Sequence, residues 1–167
     1  KGKTLNYKNL PGKIKISNNI KYDLDLEKKI IHFNQTNGDD WVLLSEGDFS
    51  DWKIIFNGTL KNQNSSDVSG ERFNDIGLTG CITVHKAKIN RTSFIVENGS
   101  CEDSVNIINS KGKNLSFVIN DAFSDAIDFD FSELAISNLQ VNGAGNDCLD
   151  VSAGIYSLNK AILKKCG

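Results

Sequence analysis

The chain has 167 residues, 39% of them hydrophobic and 24% charged, with a formal net charge of −2. That size and balance fit one globular domain with room for a real core. No apolar run approaches the length of a membrane span, and the basic residues are spread along the chain rather than clustered with aromatics, which excludes a nucleic-acid binder.

The N-terminus lacks the apolar core of a signal peptide. There is no methionine, which points to a processed chain or an excised part of a longer one. Residues 1–75 read as irregular β-rich sequence. Lys13-Ile14-Lys15-Ile16 alternates, as do Ile20, Tyr22, Leu24 and Leu26, each a short strand with one apolar face. Ile30-Ile31-His32-Phe33 is a third strand, and Glu27, Lys28 and Lys29 form a solvated hairpin tip. His32 reads as an outward, exposed position. After a polar turn at 34–40 come two apolar runs, Trp41-Val42-Leu43-Leu44 and Trp52-Lys53-Ile54-Ile55-Phe56. Runs of this kind, bounded by Gly and Asp, are buried strands. Both tryptophans are expected to pack at the wide end of the fold; the other reading is sugar-stacking platforms. Residues 57–75 are rich in Asn, Ser, Gly and Asp and read as a long loop.

From residue 76 to 167 the pattern becomes regular. Asp103, Asp125 and Asp147 are spaced by 22, and so are Asn106, Asp128 and Asp150. Apolar columns travel with them: Val105, Ile127 and Leu149, then Ile107, Phe129 and Val151. A period near twenty residues with strand-like content marks a solenoid, in which each rung buries its apolar side only by stacking on the next. Ile127, Phe129 and Phe131 alternate with Asp128 and Asp130, so this is a strand with one face in and one face out. Second strands follow the turn, in 89–94, 115–119, 136–141 and 156–162. Phe117, Leu139 and Ala161 share a column, as do Ile119, Val141 and Leu163. No helical periodicity persists. The expected fold is all-β: a right-handed parallel β-helix of about 22 residues per rung, capped by the irregular N-terminal portion, in one continuous domain.

Cys81, Cys101, Cys148 and Cys166 are even in number, which invites disulfides. In the rung register Cys81 and Cys148 stand three rungs apart, roughly 14 Å at about 4.8 Å per rung, Cys101 and Cys166 are separated similarly, and Cys81 and Cys101 lie about three residues out of register. A bridge wants Cα atoms within about 7 Å, so four free thiols are expected. No Cys/His cluster indicates zinc.

The charge is uneven. Residues 97–152 hold ten acids against Lys111 and Lys113, a net of −8, and the remainder carries +6. Asp128 and Asp150 should stack on the outer face with Asp130 beside them. Carboxylates so close repel unless compensated. For Asp103, Asp125 and Asp147 the expected compensation is hydrogen bonding to turn backbone. For Asp128, Asp130 and Asp150, with Asn106, the candidates are a bound Ca²⁺, which needs six to eight oxygens, a shared proton, or a ligand. Carboxyl groups about 5–5.5 Å apart suit a retaining glycosidase, so Asp128 and Asp150, with Asp130, are the alternative catalytic set. Against catalysis, the sequence shows no cleft, no Gly-His-Gly or Arg-x-Lys segment of polygalacturonase-like β-helices, and no lyase base on the acidic face. His85 reads as outward and solvent-exposed, and no Ser/His/Asp spacing recommends a triad.

Gly-Leu-Thr-Gly-Cys (77–81), Cys-Glu-Asp-Ser-Val-Asn-Ile-Ile (101–108), Ser-Asp-Ala-Ile-Asp-Phe-Asp-Phe-Ser (124–132) and Asn-Asp-Cys-Leu-Asp-Val-Ser (146–152) resemble the right-handed, pectin-lyase-like β-helix repeats found beside spore-coat-protein-H-like kinases and in uncharacterised bacterial and phage-borne proteins. The resemblance covers rather more than half the chain. It implies the fold, a bacterial surface, secreted or virion setting, and a further rung beyond Gly167; it implies no established activity. The kinase is not here, since neither a Gly-rich loop with an Ala-x-Lys strand nor a His-Arg-Asp loop is present. The leading functional expectation is a non-enzymatic structural or binding module. It would contact a protein or glycan partner through its acidic face or its open end, where copies can stack end to end. The alternative is a polysaccharide hydrolase using the stacked aspartates.

Overall fold

The computed structural model describes residues 2–59 and 72–167; most of the long polar loop expected at 57–75 lies outside the described residues. Among the described residues all elements are strands: β1 (Gly2–Thr4), β2 (Lys13–Ser17), β3 (Lys21–Asp25), β4 (Ile30–Asn34), β5 (Val42–Ser45), β6 (Lys53–Asn57), β7 (Gly80–His85), β8 (Ser93–Glu97), β9 (Asp103–Ile108), β10 (Lys111–Ala122), β11 (Asp125–Asp130), β12 (Glu133–Ala144), β13 (Asp150–Val151), β14 (Ile155–Leu158) and β15 (Ala161–Lys164). They build a parallel β-solenoid of about 5 turns with roughly 22 residues per turn.

Two sheets run the length of the stack. One has the order β1-β2-β5-β7-β9-β11-β13, the other β14-β12-β10-β8-β6-β4-β3, with β15 also paired to β12. Pairing is parallel from β5 and β4 onward, while β1–β2, β2–β5 and β3–β4 are antiparallel. The alternating segments before residue 30 therefore fold as hairpins across the first rungs, with Glu27 to Lys29 in the tip between β3 and β4. These hairpins pair with the strand edges at the N-terminal end, edges that would otherwise offer themselves to other chains.

Register follows the sequence columns. Val105 pairs with Ile127, Asn106 with Asp128 and Asp128 with Asp150. In the second sheet Phe117 pairs with Leu139 and Leu139 with Ala161. The inward columns form one continuous core, in which Phe94 and Phe117 stack with ring centroids 5.1 Å apart, Phe117 meets Phe129 at 5.5 Å and Phe129 meets Tyr156 at 5.6 Å. Trp52 joins this core; Trp41 is equally buried but lies outside it, with Nε1 donating to Asp75 Oδ1 at 2.5 Å.

Three corners per rung turn the chain, and each is a column of residues in the left-handed backbone region. Glu46, Lys86, Asn109 and Phe131 (φ 46–52) make the first; Asp51, Arg91 and Asn114 (φ 55–70) the second; Asn98, Asp121, Gly143 and Lys165 (φ 55–97) the third. Each corner hydrogen-bonds to the next rung, as Lys86 N to Ile108 O and Asn109 N to Asp130 O. The many Asn and Asp of the sequence serve here, because they tolerate this conformation best after glycine. Phe131 does not fit that rule, and it corrects the expected alternation. The strand ends at Asp130, and Phe131 turns out to solvent, 67% exposed.

The expectation of four free thiols is also overturned. Cys81 is bonded to Cys101 and Cys148 to Cys166, with Cα separations of 5.4 and 5.3 Å. The column placing Cys81 with Ser104, Ala126 and Cys148 is right. The error was to count residues out of register as distance along a straight strand. Cys101 and Cys166 lie at the third corner, where the chain doubles back beside the strand start of the neighbouring rung, so a three-residue offset costs little distance.

Candidate functional site

The acidic stripe is built by strands β9, β11 and β13. Their inward residues Val105, Ile107, Ile127 and Phe129 are fully buried, which fixes the intervening residues on the outer face by parity. The outward column runs Thr83, Asn106, Asp128, Asp150. Asp130 stands beside Asp128 and is held from both sides: Asn106 Nδ2 donates to Oδ2 at 3.0 Å and Ser152 Oγ to Oδ1 at 2.5 Å. Asn106, Asp128, Asp130 and Asp150 are thus brought together as the sequence columns imply.

Asp103 and Asp125 are buried at the start of their strands. The expected turn-backbone donor is found for Asp125, joined by a side-chain amide, while Asp103 takes a hydroxyl. Thr79 Oγ1 donates to Asp103 Oδ2 at 2.5 Å. Asp125 Oδ1 accepts from Asp147 N at 3.0 Å and from Asn146 Nδ2 at 2.8 Å, both one rung on.

None of the described lysines or arginines makes an ion pair with Asp103, Asp125, Asp128, Asp130, Asp147 or Asp150. The electrostatic consequence is concentrated on Asp128, whose carboxyl is pushed up to about 7 by burial and then by the charges of Asp103, Asp130, Asp150 and Asp125. Burial also raises Asp103 to about 6, against the opposing hydrogen bond from Thr79. Crowding and burial thus favour the neutral form of Asp128 as pH falls through about 7.

Metal-holding geometry falls on a different trio from the expected one. Among the described residues, the carboxylates whose oxygens converge within 4.8 Å are Asp125, Asp147 and Asp150. Asp150 therefore converges with the two entry-turn residues rather than with Asp128 and Asp130. Three carboxylates offer at most six oxygens, so a calcium ion here would complete its shell with water or backbone carbonyls.

Sequence reasoning missed one feature of the stripe. Asn106 is almost fully buried, and its Oδ1 has no hydrogen-bond partner. The signal was available in β9, where an Asn precedes Asp128 and Asp150 in the same column. His32 and His85 face outward as read but are half-buried rather than open to solvent, and His32 Nε2 lies 2.7 Å from Asn57 Nδ2.

No family model matches the chain, and no curated protein or solved structure matches it either.

Proposed function

We propose that this chain is a non-enzymatic β-solenoid binding module whose acidic face, at the end of the stack, engages a cationic surface on a protein partner. One observation carries the reading: a column of carboxylates on the outer face that none of the described lysines or arginines pairs with, so crowded that burial and mutual charge push Asp128 up to about 7. Residues that oppose folding locally and face outward are candidates for contact rather than support. The stripe ends beside Val151, Ile155, Leu158, Ile162 and Leu163, which are apolar and exposed. A partner seated there gains apolar burial at the centre and charge complementarity at the rim.

Two disulfides favour an oxidising setting, which agrees with a secreted, cell-surface or virion location. The test uses poly-L-lysine as a cationic probe in titration calorimetry at low salt. Binding by the native chain, weakened at least tenfold in an Asp128→Asn/Asp150→Asn double variant that melts no lower than the parent, is the expected result. Absence of binding overturns the reading.

A second reading has its own observation. Asp128 carries a proton near neutral pH while Asp130, two residues along, presents oxygens fixed by Asn106 and Ser152, an acid and an acceptor side by side as in glycoside hydrolysis. Sugar release from a panel of polysaccharides, abolished by Asp128→Asn, would establish the hydrolase and displace the binding module.

A further inference from the structure

A second face of the solenoid, between the first and second corners, carries a groove that the acidic stripe does not touch. Successive rungs align Lys88, Lys111 and Glu133 in one column, and with Lys86 and Lys113 these residues border an open groove of about 820 Å³. Its charge is opposite to that of the stripe: four lysines against one carboxylate, Glu133. Lys111 sits 3.6 Å from Glu133 and Lys88 4.0 Å from Asp48. No ion pair among the described residues engages Lys86 or Lys113.

An independent observation lies one rung on from a lining residue. Phe131 follows Asn109, a groove residue, in the first-corner column, at φ 48 and 67% exposed. Bulky side chains are genuine outliers in the left-handed region, and such strain persists where something other than the local backbone requires it. The same corner is filled in earlier rungs by Glu46, Lys86 and Asn109, so the turn itself does not call for an aromatic ring.

We propose that this groove binds an extended anionic polysaccharide, a uronate- or sulfate-bearing glycan lying along the solenoid axis. The lysines take its charged groups and Phe131 stacks on the apolar face of a sugar ring. Lys88 and Lys111 stand on adjacent rungs, about 4.8 Å apart, a step comparable to the length of one pyranose, so charges on neighbouring sugars meet neighbouring lysines. Asn90 and Asn109 supply amide donors and acceptors for ring hydroxyls. A single-stranded nucleic acid would place successive bases on several aromatics, and this groove offers one.

The experiment is titration calorimetry of the full chain with sodium polygalacturonate and with heparin, repeated over a salt series, with poly(U) as the competing polyanion. Binding to at least one glycan, weakening as salt rises, is expected. A Lys111→Gln/Lys113→Gln variant should bind at least tenfold more weakly, and Lys21→Gln, on a distant strand, should bind as the parent does. Phe131→Gly should lose at least fivefold while melting at or above the parent temperature, because glycine suits the corner. No binding of either glycan at low salt overturns the proposal; so does tighter binding of poly(U), or a Phe131→Gly chain that binds as well as the parent.

Discussion

Asn106 and Asp130 are tied across one rung and two strand positions, Nδ2 of the amide donating to Oδ2 of the carboxylate at 3.0 Å. The amide spends its donor on Asp130 and leaves its own Oδ1 buried without a partner. Asp128, the next residue up the same column, is the neighbour that carries a proton near neutral pH. Replacing Asn106 by Asp removes the donor and adds a fourth carboxylate to this corner of the stripe. Asn106→Asp should lose about 2–3 kcal/mol of stability at pH 8, with part of it recovered at pH 5. Urea denaturation at the two pH values measures both numbers.

The same cluster makes stability depend on pH in an unusual direction. Asp128 at about 7 and Asp103 at about 6 hold protons in the folded chain that the unfolded chain has released above about pH 4. The folded state therefore binds more protons between those limits, and stability falls as pH rises through them. The fold should melt higher at pH 5 than at pH 8. Asp128→Asn should flatten this slope and raise stability at pH 8 by about 1 kcal/mol once solvent screening is allowed for, a shift of about 2–4 °C in a chain of this size. Thermal melts of parent and variant across pH 5–8 give the answer.

Both disulfides close at the third corner, and they guard different things. Cys81–Cys101 lies within the stack, at the entry to β7 and β9, whereas Cys148–Cys166 holds the last rung. Removing either should cost about 3 kcal/mol by the loop-closure model, since the bridges span 20 and 18 residues. Their local signatures should differ. Cys148→Ser/Cys166→Ser is expected to expose the amides of β13 to β15 to hydrogen exchange, leaving β7 to β12 protected; Cys81→Ser/Cys101→Ser should lower protection across the whole stack. Thiol titration of the unfolded, unreduced chain should find no free cysteine.

Phe117 is the middle of the aromatic stack, touching Phe94 on one side and Phe129 on the other. It is fully buried, and truncation opens a cavity whose neighbours are themselves held by two sheets. Phe117→Ala should destabilise by about 3–5 kcal/mol, more than Phe94→Leu, which keeps most of the volume. Denaturant unfolding of both variants tests the order.

Much of this architecture was legible in the spacing. Where a strand faces water on one side and the core on the other, a register slip of one residue would turn every apolar group outward, so the columns through Val105, Ile127 and Leu149 could be read directly. Corners are governed by different physics. Cys101 and Phe131 sit where the chain changes direction, and there sequence distance no longer maps onto spatial distance; the Cys81–Cys101 bridge and the outward turn of Phe131 were misread for that one reason. The acidic column was legible as a column, but its electrostatics were not. How far Asp128 is shielded from solvent depends on what surrounds it in three dimensions, and that also decided which carboxylates converge. The lysine groove went unseen because its residues are gathered from several rungs, with no more than two lysines together in any one stretch of sequence.

The bridges at one corner also bear on what happens under tension. A solenoid pulled from its two ends would peel away rung by rung, each turn giving up its full length of chain. Here the stretch between Cys81 and Cys101 is held closed, so roughly 70 Å of slack stays locked inside the molecule until a covalent bond is reduced. The module would yield in shorter steps than its rung count suggests, and a reductant would lengthen it.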